Sequence, residues 1–276
     1  MLTVLSGGVL VAGQARVDEL AARLEQVGRR VESYYARARS IVCRELVRLQ
    51  PLRRDLMPDG PPRELVYEMR VSWDPDTADE RPTATVFRQL LTVNGRPATP
   101  DDEPECMDPR TEAVDPLVAL LPRRRAEFVF TSAGTSRIDG RRVVRVDYRP
   151  VARARPTVTW EGDCASIDLA GQTRGRVWVD ATTDEVLRLD ERIEGQFEFP
   201  VLSSRAYGRP NTMVIERVDT TVQYELVTFE EPDETLLLPA SIDTLTVVRN
   251  AAVAWSRKTQ VFSGYRRFIG SGRVLP

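Results

Sequence analysis

The side chains that could do chemistry are mostly acids. Asp180, Glu185 and Asp190 fall close together in GRVWVDATTDEVLRLD, residues 175–190. Glycoside hydrolysis needs no more than two such carboxyl groups facing one cleft. A second acidic group, Asp101, Asp102, Glu103 and Glu105, offers oxygens to a divalent cation but lacks the alternating ligand spacing of a calcium loop. Of the cysteines, Cys43 sits in the alternating run SIVCRELVRL and reads as a small buried apolar side chain. Cys106 and Cys164 lie in the loop-like stretches DDEPECMDP and WEGDCASID and are expected to pair as a disulfide in an oxidising compartment. Histidine is absent from the chain. That removes the usual general base, the Ser-His-Asp and Cys-His pairs and the commonest zinc ligand. Phosphate-binding, dinucleotide-binding, nucleophile-elbow and HExxH motifs are missing too. The acids therefore read as a solvated strand edge and solvated loops, and no catalytic residue, metal or cofactor is assigned.

The overall charge narrows the partners. Net charge is −2 with 29% charged residues, which gives no field able to recruit nucleic acid. The short run Arg123-Arg124-Arg125 reads as a helix end, where cations sit well beside free carbonyls. Lys258 is the only lysine. The start of the chain is apolar from Leu2 to Val11 and then carries Gly13 and Ala15, the pattern of a signal peptide over residues 1–15. Residues 16–276 are then expected to form one exported domain, periplasmic or secreted. No cysteine stands at the cleavage point to carry a lipid anchor, and no later stretch is apolar for long enough to span a bilayer.

The elements that must position these residues follow from periodicity. Val17, Leu20, Leu24, Val27, Val31 and Tyr34 recur at three- and four-residue steps and predict one long amphipathic helix. From Ser40 the period becomes two. Leu65, Tyr67, Met69, Val71 and Trp73 form one apolar strand face. Val214, Val218, Val222, Tyr224 and Leu226 do the same along the longest run, with Glu216 as the exception to its parity. A strand of that length, roughly 50 Å at about 3.3 Å per residue, has to twist and curl. Asp139-Gly140 predicts a tight hairpin, and Ala181–Asp184 a turn that makes GRVWVDATTDEVLRLD a hairpin of its own. Asn94-Gly95 is followed by Arg96-Pro97, which suggests that the strand ends there without a tight hairpin. Asp115-Pro116 predicts a short helix over Leu117–Leu121, placed as a lid on an open edge or end of the sheet. Trp178 falls on the polar-looking face of its strand, which predicts that something covers that face too.

These features together resemble a known superfamily. An amphipathic helix leads into SIVCRE, a W-V-D-x-x-T hairpin (Trp178 to Thr183) rises into VLRLD, and LLLPASI follows at Leu236–Ile242. The chain looks like the periplasmic lipoprotein carriers and lipid-binding sensors of the LolA/LolB/RseB type. The resemblance implies a mainly β fold: a strongly curved, half-open antiparallel sheet with helices packed on its concave side around an apolar cavity, from about Val17 to Phe268. No residue role is carried over from it. The expectation is a non-catalytic binding protein holding a lipid or acyl chain, with Tyr67, Met69, Val71, Trp73, Val218, Val222, Tyr224 and Leu226 facing the ligand. An envelope module that docks a protein partner is the alternative, and a carboxylate-dependent hydrolase a lesser one.

Overall fold

The structure is a computed structural model, and it describes residues 8–38, 40–73, 83–102, 110–114, 116–161, 164–169, 171–201, 212–251 and 255–267. Helix α1 (Gly8–Arg37) is followed by strands β1 (Ile41–Pro51), β2 (Arg63–Trp73) and β3 (Thr83–Val93). Next come β4 (Arg96–Pro97), β5 (Arg110–Val114) and two 3-10 segments, Pro116–Leu120 and Pro122–Glu127. Strands β6 (Phe128–Ile138) and β7 (Arg141–Pro150) precede a small separate pair, β8 (Thr157–Glu161) and β9 (Cys164–Asp168). The chain then forms β10 (Thr173–Asp180), β11 (Val186–Ile193), β12 (Phe197–Pro200), β13 (Thr212–Phe229), β14 (Glu234–Arg249) and β15 (Trp255–Arg267).

One antiparallel sheet dominates, in the order β4-β3-β2-β1-β15-β14-β13-β11-β10-β7-β6. Its first and last strands are not neighbours, so it remains open. β1 pairs with β15 as well as with β2, which sets the first and last strands in sequence side by side in the middle of the sheet. Turn chemistry fixes the hairpins. Asp139 and Gly140 both have positive φ, at 47° and 80°, the geometry that matches the twist of β6 and β7. Asn94 and Gly95 do the same, at 49° and 81°, and β4 does pair back onto β3. This corrects the sequence expectation. Pro97 is tolerated because β4 is an edge strand, where a missing N–H costs no ladder bond.

The core lies on one face of the sheet, the inner face. Leu24, Val27, Val31, Tyr34 and Tyr35 of α1 meet Ile41, Met69, Val146, Val177, Leu189, Val222 and Phe262 there. Leu117, Leu120 and Leu121, each no more than 2% exposed, complete this plug. Leu117 and Leu120 lie on a 3-10 turn and not an α-helix, with Leu121 in the bend after it, and Asp115, the expected cap, lies outside the described residues. Gly28 permits the close approach, since a Cβ on it would stand 2.9 Å from Pro122 Cγ. A second, smaller cluster gathers Val47, Leu65, Tyr67 and Val93 toward the β3 side of the same face.

Candidate functional site

The hairpin from Gly175 to Asp190 shows what its carboxylates do. Asp180 is buried, and its Oδ1 accepts the backbone N–H groups of Thr182 and Thr183 at 2.8 and 2.9 Å, closing the turn. Arg141 Nε donates to its Oδ2 at 2.8 Å. Burial pushes the carboxyl of Asp180 up, but the N–H groups of Thr183 and Thr182 and the guanidinium of Arg141 together leave it below the ordinary carboxylate range. Glu185 accepts from the Thr183 hydroxyl, and Asp190 from Arg188 and the Thr221 hydroxyl. Each acid is thus held in a structural contact. Asp102 is likewise occupied by Arg96 and Thr99, and both lower its carboxyl. Every described carboxyl that departs from its ordinary pKa moves down, opposite to the shift a general acid requires. Among the described residues no group of three metal-ligating side chains occurs, and no helix is long and apolar enough to cross a membrane.

The turn also anchors the helix. Asp184, at φ 57°, turns its carboxylate to Arg23 of α1 at 2.5 Å, and Arg30 Nε donates to the Thr183 carbonyl at 3.2 Å. On the sheet's other face, the Trp178 ring lies under the guanidinium of Arg188 at 4.8 Å and of Arg176 at 6.0 Å. The cover expected over this ring is therefore arginine. A hollow of about 590 Å³ beside it is lined by both signs of charge, including Asp147, Arg149, Arg174 and Arg192.

Register across the sheet gives the inner face a layered composition. One continuous row reads Val177, Leu189, Val222, Ile242, Gln260, Val47, Leu65 and Val93. The next row, farther from α1, reads Tyr148, Gly175, Glu191, Thr220, Thr244, Lys258 and Leu49. The change is abrupt: apolar and mostly buried, then largely polar and, apart from the buried Tyr148, half-buried. In the polar row Tyr148 folds over Gly175, where a Cβ would come within 2.2 Å of its ring, and its hydroxyl donates to Glu191 at 2.5 Å. Thr220 and Thr244 share a hydroxyl hydrogen bond of 3.3 Å.

Between the two apolar clusters lies a buried charge. Glu45, with no solvent exposure, accepts from Arg88 Nε at 2.7 Å and from Gln260 Nε2 at 2.5 Å. Nearby Cys43 is a free thiol pushed up to about 12, first by burial and then by Glu45, with Arg88 opposing. At that value it stays protonated and behaves as a core side chain.

The residues expected to face a ligand separate into groups. Met69, Val222 and Tyr224 sit in the plug's core, with Val71 packed against it, while Tyr67 belongs to the smaller cluster. Val218 is half-buried, one row beyond the polar one, opposite Thr246. Leu226 departs from the expected parity: it is 47% exposed, and burial passes to Phe229 and to Leu236 and Leu238 across the hairpin. A register shift between Gln223 and Tyr224 breaks the alternation there. The side chains of Trp73, Cys106 and Cys164, and with them the expected disulfide, lie outside the described residues. Sequence reading missed the Glu45–Arg88–Gln260 group. Its one signal was Glu45 on the apolar parity of β1.

No protein-family model matches the chain, and no curated protein matches it. Solved structures do. A LolA superfamily protein from Nitrosomonas europaea is similar at 10% identity over 92% of this chain and 94% of its own, with a TM-score of 0.38. A DUF1329 family protein from Desulfovibrio piger is similar at 8% identity over 91% and 93%, with a TM-score of 0.43. A domain inferred to be an outer membrane lipoprotein-sorting protein, from Vibrio parahaemolyticus, is similar at 7% identity over 91% and 94%, with a TM-score of 0.44.

Proposed function

We propose that this chain is an exported binding protein that holds a lipid or acyl chain on the inner face of its open sheet and catalyses no reaction. The observation that carries this reading is the incomplete cover of that face. The α1 plug and its 3-10 partner fill the end bearing Val177, Val222 and Phe262. Val218, Thr220, Thr244, Thr246 and Lys258, on the same curved face, belong to neither apolar cluster and stay half-buried. A partly apolar, partly polar face that stays half-covered is a surface suited to an amphiphile. The engaged state of every acid in the Asp180 hairpin supports a role without catalysis. The apolar start at Leu2–Val11, followed by Gly13 and Ala15, supports export.

The test is native purification followed by organic extraction and mass spectrometry, with saturable binding of a fluorescent fatty acid as the second measurement. Recovery of stoichiometric lipid, or displacement of the probe by it, is the expected result. A protein with no extracted lipid and no saturable probe binding refutes the reading. Amino-terminal sequencing of the protein recovered from the envelope fraction checks the cleavage after Ala15.

A further inference from the structure

We infer that Lys258 is the anchor for an anionic head group, a carboxylate or a phosphate, of the amphiphile bound on the inner face; the inference rests on the lipid-binding reading above. Lys258 is the only lysine in the chain, all other basic side chains being arginine. It stands on β15, between Thr244 of β14 and Leu49 of β1, on the same side as the buried Gln260 and Phe262. Its side chain is therefore directed inward, not to the charged outer face.

The cations of this face are not alike. Arg88 is bound to Glu45 at 2.7 Å, and Arg267 is paired with Glu234. Lys258 is half-buried and makes no hydrogen bond or ion pair among the described residues. The nearest acid that acts on it, Glu45, has one carboxylate oxygen engaged by Arg88 and the other by Gln260. The next acid along the row, Glu191, accepts from Tyr148. Burial draws the ammonium of Lys258 below its ordinary range, Glu45 opposes this and Arg88 adds to it. A partly desolvated ammonium with three donors and no acceptor lacks what an anion supplies. Thr220 and Thr244 add to the donor set, because one hydroxyl of the pair donates to the other and the accepting hydroxyl keeps its own hydrogen. On the far side Leu49, packed against the Val47, Leu65 and Tyr67 cluster, and across β14 Ile242, packed against the main core, offer apolar surface for the tail. Head and tail chemistry thus meet around one side chain.

The test is calorimetric titration, below micellar concentration, of the full chain and of its Lys258→Met and Lys258→Arg variants with three probes: oleate, 1-oleoyl lysophosphatidate and methyl oleate. The wild type is expected to bind the two anionic probes more tightly than the neutral ester. Lys258→Met weakens the anionic probes by roughly tenfold to a hundredfold, the worth of a hydrogen bond to a charged group. It leaves methyl oleate unchanged, and Lys258→Arg keeps most of the affinity. Whichever anionic probe binds more tightly identifies the head group as carboxylate or phosphate. Equal binding of oleate by wild type and Lys258→Met, or of oleate and its ester by the wild type, overturns the anchor and leaves the lipid reading standing. Failure of all three probes to bind overturns both. Unchanged circular dichroism shows that the variants fold.

Discussion

Replacing Arg88 by methionine strands the carboxylate of Glu45 inside the sheet. The structure sets the size of the effect. Glu45 is wholly buried, so water cannot take over from the lost guanidinium, and Gln260 supplies only one neutral donor. A buried ion left without its partner costs about 3–5 kcal/mol. For a chain of this size that lowers the melting temperature by roughly 10 °C. Glu45→Leu strands Arg88 instead, whose side chain retains 18% exposure and reaches water by a small shift. Its cost is smaller, about 2 kcal/mol on the same basis. The double variant, Glu45→Leu with Arg88→Met, removes both charges from a site lined by Cys43, Val47, Tyr67 and Met69. It should lie within about 1 kcal/mol of the wild type, since buried pairs roughly break even against packed apolar side chains. Urea denaturation of the four proteins forms a double-mutant cycle, with an expected coupling of about 6 kcal/mol. Additive single effects, or a double variant as unstable as Arg88→Met alone, would show that this pair does not act as a unit and that the reasoning is wrong.

Other expectations follow from single contacts. Gly175→Ala places a methyl group where Tyr148 lies, 2.2 Å from its ring, and should destabilise by about 1–3 kcal/mol while breaking the Tyr148–Glu191 hydrogen bond, seen as loss of near-ultraviolet tyrosine dichroism. Asp180→Asn removes a carboxylate that holds the 181–184 turn and should cost about 1–2 kcal/mol at pH 7. The sign with pH is fixed: Asp180 is held below its ordinary value of 3.8, so its stabilisation is complete above that pH and fades as pH falls through the lowered value. The gap between wild type and Asp180→Asn should therefore shrink in acid melts below about pH 4. Lys258→Met relieves a half-buried ammonium that has no hydrogen-bond or ion-pair partner among the described residues, and should raise the ligand-free melting temperature by about 2–4 °C, the equivalent of about 1 kcal/mol.

Much of the architecture could be read from residue order. The three- and four-residue steps mark α1 because that stripe meets the sheet, and Leu24, Val27, Val31 and Tyr34 are buried. Glu216 broke the parity of β13 for a physical reason: the register shifts between Ile215 and Arg217, where Glu216 is the extra residue and pairs with Arg249 at 2.9 Å. Leu226 was misplaced because the second shift comes from the partner strand, where Ala240 of β14 is the extra residue between the partners of Gln223 and Tyr224, and leaves no mark in the run TTVQYEL. Alternation specifies a face only while the ladder is regular. The Trp178-Val179-Asp180 signature reported a turn, since Asp180 serves the backbone of Thr182 and Thr183. What periodicity could not show is the polar row from Tyr148 to Lys258. Its members come from six strands and meet only once the sheet order is known.

The small loop at residues 181–184 has a reach well beyond its own hairpin. Through Arg23 and Arg30 it fastens one part of α1 to the β10–β11 side, while the other end of the same rod runs into β1. Those strands are separated in the sheet by β15, β14 and β13. The helix is thus a stay stretched across a bow, and the depth of the trough is set by a stiff member of constant length as well as by the twist of each strand.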